Sequence, residues 1–472
     1  ADTGTTTDGV VEQVAVGEIV RYRVVSAVGE GVTDSYRVQV TLDEGLTFIG
    51  DGTIKIAIVS NGGVTSNLTL NSDSTLAVVG NRSSGIALPI PADLSNGPTA
   101  TLAAGRWSTT TDGQGRTVVV FDLGTITNND NDADPTDLEG VVIEFNARVG
   151  NVASNQNNAI LGVTAGILDS NDAVGASDAV TEQVIEPSFT GLVKQVDSFT
   201  PNAGGGTSTA NMSVSFTQNG TGPAYDVTLD DPVFAGASGY TLTSVTITRA
   251  NGSTTVVLPA DFAANGITST SDAAGIHLSV DKVEVGAKVV VKYSVTVDAD
   301  TAYASTEAEL RWSSLPEGFQ SWGGTGVGAD ASADGERNGS EGPLNGGTLN
   351  DYVLREGAGL GLVHGNLWDD SLSATSSLAP DGPALAGQTV TLRWAGTDGA
   401  LDTGDDQIFT TVTDSAGFFR FSALAPGSYR IEAPGSIVLD DPTGEVRVRL
   451  DTDAGTLGQV VSTVGEGATA AA

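Results

Sequence analysis

The sequence predicts an all-β chain of tandem β-sandwiches laid end to end. Three observations predict it. Apolar residues alternate with polar ones at period two, as in Ile19-Val20-Arg21-Tyr22-Arg23-Val24-Val25 and Val289-Val290-Val291-Lys292-Tyr293-Ser294-Val295, which is the pattern of strands with one buried face. Valine, threonine and serine are abundant, and 61 glycines and 16 prolines punctuate the apolar runs, as strands and turns require. Helical periodicity is missing apart from single turns near 91–96 and 259–265.

Length and composition bound the organisation. A chain of 472 residues exceeds one core and divides into roughly three domains. Its hydrophobic content of 39% is enough for packed interiors. Four anchors recur in the same order. Val40-Thr41-Leu42-Asp43 matches Val227-Thr228-Leu229-Asp230, and Pro91-Ala92-Asp93-Leu94 matches Pro259-Ala260-Asp261-Phe262. The turn at Asp112–Gly115 matches that at Asp272–Gly275, and Val141-Val142-Ile143-Glu144-Phe145 leads to Asn158 as Val289-Val290-Val291-Lys292-Tyr293 leads to Glu307. The register implies duplication. The expected modules are 1–186 and 187–358, both immunoglobulin-like sandwiches, then 359–435 of a different type. Residues 436–472 hold a terminal strand pair and a low-complexity tail, and 323–347 form a Gly-rich loop or linker.

Charge excludes several functions. With 21 basic and 58 acidic residues the formal net charge is −37. Such a surface repels nucleic acid and anionic membranes and attracts divalent cations. The absence of cysteine rules out thiol catalysis and zinc–thiolate sites, and removes the disulfides that small secreted domains rely on. No apolar run reaches the ~20 residues of a membrane helix. The two histidines, His277 and His364, fall in strand and linker contexts, and no nucleophile elbow, phosphate loop or zinc motif occurs. The chain reads as a non-enzyme. The tryptophans offer a sugar platform as an alternative, although most fall on strands where core packing is the default.

Calcium is the expected cofactor. The segment from Asp398 through Asp402 to Asp405 and Asp406 gathers four carboxylates between two strands. Calcium takes about six to eight oxygen ligands, which clustered aspartates and turn carbonyls supply. The competing reading is an acidic hairpin whose aspartates make Asx turns. Asp130, Asp132 and Asp134, with Asp137 nearby, have an alternating spacing that suits either an ion or a solvated loop.

Two resemblances sharpen this. Residues 361–433 resemble the SdrD B-like and collagen-adhesin B-type repeats of Gram-positive surface adhesins, through Thr410-Thr411-Val412-Thr413-Asp414-Ser415-Ala416-Gly417-Phe418 and Leu424-Ala425-Pro426-Gly427-Ser428-Tyr429. That resemblance implies a second metal site at Asp369 and Asp370, with Asp381, which match the family's other metal-rich loop in degenerate form. The first two modules resemble the isopeptide-forming repeats of fimbrial and giant surface proteins. The residues that carry this are Phe121-Asp122-Leu123-Gly124-Thr125-Ile126, Trp312-Ser313-Ser314-Leu315-Pro316 and Gly335-Glu336-Arg337. The resemblance implies a bacterial cell-surface adhesin, stalk or fibre, stiffened by calcium. Its partners would be copies of itself, neighbouring modules, or a host or matrix surface. A self-assembling subunit of a surface layer is the alternative. In the resembled family a lysine near the module's start attacks an asparagine on its last strand, helped by a buried acid. Lys194 stands where that lysine belongs, but the repeat places Glu307 opposite Asn158. Both reactive pairs look broken, and a Lys194–Glu307 ion pair is expected instead.

Overall fold

The computed structural model describes residues 11–59, 63–70, 74–75, 100–129, 139–168, 171, 174–200, 206–233, 235–298, 304–316, 335–339, 351–367, 383–396, 398–425, 427–434, 436–440, 447–451 and 457–464. Among these the chain is all-β, and its only helical turns are two short 3₁₀ turns, Pro259–Asp261 and Ala263–Asn265. The expected turn near 91–96 lies outside the described residues.

The chain folds as two compact units. The first takes 1–188, 220–225 and 312–352, and the second 189–219, 226–311 and 353–472. In the first unit a six-stranded and a five-stranded sheet face each other. Alternation decides which side chains meet: Val38, Val40 and Leu42 from one sheet pack with Ile56, Ile143 and Phe145 from the other, all essentially buried. Phe48 and Phe121 fill the middle around Phe145, with ring centroids 5.7–6.1 Å apart.

The second unit repeats this plan. Its sheet Ile267–Ser269, Gly275–Val283, Ala224–Pro232, Ala304–Ser313, Val353–Asn366 matches, strand for strand, Trp107–Thr111, Thr117–Asp122, Arg37–Leu42, Ile160–Leu168, Val174–Ile185 of the first. The repeated turns match as well. Asp112 Oδ1 accepts from Gln114 N at 2.9 Å and Asp272 Oδ1 from Ala274 N at 2.7 Å, so both are Asx turns closed by a positive-φ glycine, Gly115 or Gly275.

Two features depart from the sequence reading. Val353–Asn366 is one uninterrupted strand across the expected module boundary: 353–360 pair with Ala304–Arg311, and 361–366 with Phe418–Leu424. His364 is therefore a strand residue whose ring lies 5.7 Å from that of Phe418, not a linker residue. The tail also contributes structure. Leu457–Val464 pairs antiparallel with Gly427–Pro434, beyond the expected pair Ser436–Asp440 and Arg447–Asp451.

One interior carboxyl in the first unit is unusual. Glu182 is 4% exposed and accepts from the Tyr22 hydroxyl at 2.5 Å. Its parallel register partner is Glu12. Burial pushes the Glu182 carboxyl up to about 7, the Tyr22 hydrogen bond opposes, and Glu12 and Glu18 push it further up. Burial, then the Glu182 charge, raises Tyr22 as well. Because Glu182 holds its proton more tightly folded than unfolded, its stabilisation is complete below about 4.5 and is lost as pH rises through about 7. Glu182→Gln mimics the protonated state. The substituted and wild-type chains are expected to melt alike under acid conditions. Above neutrality the substituted chain gains a relative advantage on the order of 3 kcal/mol. Parallel melting curves across the whole pH range would show that Glu182 titrates normally.

Candidate functional site

The second unit carries an ion pair in its interior. Phe189–Thr200 alternates so that Leu192, Lys194 and Val196 turn inward, and Ala224–Pro232 turns Val227, Leu229 and Asp231 inward. Lys194 and Asp231 side chains are both fully buried, with Nζ donating to Oδ1 at 2.7 Å. The remaining ammonium protons reach the Thr306 carbonyl at 3.0 Å and the Thr306 hydroxyl at 2.5 Å. Asp231 in turn accepts from the Tyr293 hydroxyl through Oδ2 and from the Thr306 hydroxyl, 3.2 Å away, through Oδ1. Burial lowers the Lys194 ammonium, and the Asp231 charge opposes that shift. Burial, followed by the Asp231 charge, pushes Tyr293 up.

The expected Lys194–Glu307 pair does not form. Successive side chains of a strand point to opposite faces. In Ala304–Ser313 the inward set is Thr306, Ala308 and Leu310, so Glu307 is exposed. Asn158 is an exposed turn residue at φ 68°. Amine and acid thus lie side by side in the interior, and the residue facing them is a threonine and not an asparagine. A hydroxyl offers no carbonyl carbon to attack. An ammonium with each proton on an acceptor is no nucleophile. The residues that sequence reading missed are Asp231, Thr306 and Tyr293. The doublet Asp230-Asp231 on a strand was the available signal, since one of the two must face inward. Its outward member meets His277, with Nδ1 2.7 Å from Asp230 Oδ1 at the surface.

The acidic loop is self-satisfied. Asp402 holds Arg430 with both oxygens, at 2.8 Å each, and that bonding keeps its carboxyl below the usual value. Asp406 Oδ2 accepts from Asp402 N at 2.8 Å and lies 3.5 Å from Arg393 Nη1. Asp405 accepts from Thr403 Oγ1 at 2.7 Å and from Asp398 N at 3.3 Å, and Asp398 from Ala400 N at 2.8 Å. A Cβ on Gly396, at φ +66°, would stand 2.2 Å from Asp405 Oδ2, so the loop requires glycine there. As arranged, the oxygens of these four residues face backbone N–H groups, a hydroxyl and guanidinium groups. No group of three or more histidine, aspartate or glutamate side chains among the described residues is set to hold a metal. Asp369, Asp370 and Asp381, and Asp130, Asp132, Asp134 and Asp137, lie outside the described residues. Trp312 and Trp394 are buried and Trp107 packs against the first unit's core, so the described tryptophans form no exposed sugar platform.

No family model matches the chain, and no curated protein does. Among solved structures it is similar to the full-length major pilin SpaD from Corynebacterium diphtheriae (10% identity, 90% of this chain and 89% of that one, TM-score 0.29). It is also similar to BcpA, the major pilin subunit of Bacillus cereus (11%, 91% and 96%, 0.25). A third is the C-terminal domain of the Streptococcus agalactiae AgI/II polypeptide BspA (9%, 63% and 90%, 0.30). Two of these are major pilins and the third is the C-terminal domain of a streptococcal polypeptide. At such identities and TM-scores the likeness carries no functional argument.

The buried pair makes two predictions. Intact-mass spectrometry is expected to return the plain sequence mass, whereas Thr306→Asn, which places a carboxamide beside Lys194 and Asp231, is expected to lose one ammonia. An unchanged mass for the substituted chain would show that position 306 is not equivalent to the acceptor of the resembled family. For stability, Lys194→Met alone strands Asp231 and is expected to cost about 3–5 kcal/mol, while Lys194→Met with Asp231→Leu restores most of it. Chemical denaturation of the single and double variants reads both, and a double variant no better than the single would mean the pair is not the cause.

Proposed function

We propose that the chain is a non-catalytic structural module of a bacterial extracellular adhesin, stalk or fibre, and that its modules divide as 1–186, 187–358 and 359–435 with a terminal segment after 435. The observation that carries this reading is the Lys194–Asp231–Thr306 cluster. It joins the first strand of the second module to a late one, in the interior, with no open face toward a substrate. An ion pair enclosed this way connects the sheets and presents no group to a ligand. No helix among the described residues is long and apolar enough to cross a membrane, a statement that leaves β-barrels aside.

A surface-layer or filament subunit is the second reading. It is favoured by the strand Gln407–Val412, which ends its sheet and exposes Ile408 (54%) and Val412 (58%). Apolar edge strands are sites of strand addition. Negative-stain microscopy separates the two: isolated rods are expected for the stalk, and ordered polymers would favour the assembling subunit. Globular particles would contradict both.

Calcium stiffening is proposed on charge and composition. For Asp398, Asp402, Asp405 and Asp406 to take an ion, Asp402 must leave Arg430. Asp369 and Asp370 would supply a second site. Sites in extracellular modules bind at about 10⁻⁴–10⁻³ M. Calcium is therefore expected to raise the melting midpoint of the full chain over a chelator control, and to do so less in Asp402→Asn with Asp405→Asn. A midpoint that calcium leaves unmoved would show that the arginine-paired loop is the working state.

A further inference from the structure

The first unit is assembled from three stretches of chain, 1–188, 220–225 and 312–352, and all three converge on Glu186. Every polar atom of that residue is engaged. Its backbone N donates to Thr221 Oγ1 at 3.1 Å, and its carbonyl accepts from Thr221 N at 2.9 Å and Gly222 N at 3.2 Å. Its Oε1 accepts from the Tyr352 hydroxyl at 2.6 Å and from Arg337 Nη1, and its Oε2 from Asn157 N at 2.5 Å. Arg337 is 1% exposed. Its other guanidinium nitrogens reach the first stretch as well, Nε to Asn151 Oδ1 at 3.0 Å and Nη2 to the Val152 carbonyl at 3.2 Å.

The third stretch is also seated through its backbone. Ser314 N donates to the Arg337 carbonyl and Arg337 N to Ser314 Oγ, each at 2.9 Å, and Ser314 Oγ donates to the Val16 carbonyl at 2.8 Å. A Cβ on Gly17, at φ +91°, would stand 2.8 Å from Glu336 Cα and 3.0 Å from Leu315 Cδ1, so this close approach requires glycine. Trp312 stacks on Tyr352 with ring centroids 5.5 Å apart, and both are buried. Buried tryptophan, tyrosine and arginine are the side chains that concentrate at the energetic centre of protein–protein interfaces. Here both sides of such an interface belong to one chain.

The backbone leaves the first stretch through the strand Phe189–Thr200. At Gly191 that strand is exposed and bulged: its register shifts between Thr190 and Val193, and a Cβ on Gly191 would meet open space. A break after Gly191 puts 220–225 and 312–352 on one fragment and Glu186, Asn151 and Val152 on the other. We propose that the Glu186 clasp is a binding interface in its own right, which holds residues 192–472 on residues 1–191 after the backbone between Gly191 and Leu192 is cut. A protease that nicks this bulge therefore leaves the protein in one piece. The inference does not depend on the chain being a surface component.

The experiment inserts a site-specific protease sequence after Gly191 of the full chain and cleaves it after folding. Native mass spectrometry and size-exclusion on dilution then read whether the two fragments stay together, with circular dichroism of the uncut chain as the control for folding. The cut chain is expected to remain one species. The same cut in Arg337→Ala, which strands Glu186, is expected to weaken the fragment affinity on the order of 100-fold or more. Separation of the otherwise unsubstituted fragments while the uncut chain is folded overturns the proposal. Equal retention in Arg337→Ala overturns the assignment of the interface to Glu186. Where Arg337→Ala fails to fold before cleavage, Tyr352→Phe removes one hydrogen bond to the carboxylate and is expected to weaken the pair about 10-fold; an unchanged affinity there overturns the assignment equally.

Discussion

A charge removed from water must meet an opposite charge and have its remaining valences filled, or the fold that removed it fails. That constraint organises the interior of the second unit. Lys194 sits between the sheets with Asp231, and Thr306 and Tyr293 close the remaining positions. Val214 lies opposite Lys194 in register and Val291 opposite Val214, both buried, so an unpaired ammonium there would be intolerable. With no cysteine in the chain, such pairs do the joining that disulfides do in small secreted domains.

The first unit meets the same constraint by other means. Glu144, almost fully buried, lies between Arg21 and Arg23 from the neighbouring strand, with Arg21 Nη2 2.9 Å from Oε2. Glu182 settles against Tyr22, and Glu186 receives Arg337. The two units share strand order and turn geometry, yet their buried polar groups differ. Both units keep the apolar alternation, which tolerates exchange of one aliphatic side chain for another. Their polar clusters differ, and each must be complete or absent.

That difference explains what the sequence made legible. The all-β class, the recurring strand pattern and the turns at Asp112 and Asp272 follow from period-two alternation and turn chemistry, which are local. The Lys194 cluster joins residues 37 and 112 positions away, so only the lysine's place near the start of its module was visible. Expecting Glu307 as its partner was off by one residue, and in a strand one residue reverses the face. Arg337 was hidden for a similar reason. It lies in a Gly-rich stretch that reads as linker, and its partner Glu186 is 151 positions away. The acidic loop shows the converse: four neighbouring aspartates suggest a cation, but Arg430 and Arg393, remote in sequence, already face Asp402 and Asp406.

The account rests on a non-covalent connection between Lys194 and the strand that carries Thr306. Single-molecule pulling on the full chain tests it most directly, because a covalent link hides the residues it encloses from extension. Lys194 and Thr306 are 112 positions apart, which at ~3.3–3.6 Å per residue is roughly 370–400 Å of contour. The account predicts that unfolding the second unit releases this length in full. Contour short by that amount would contradict it and reveal a covalent bond between the two strands.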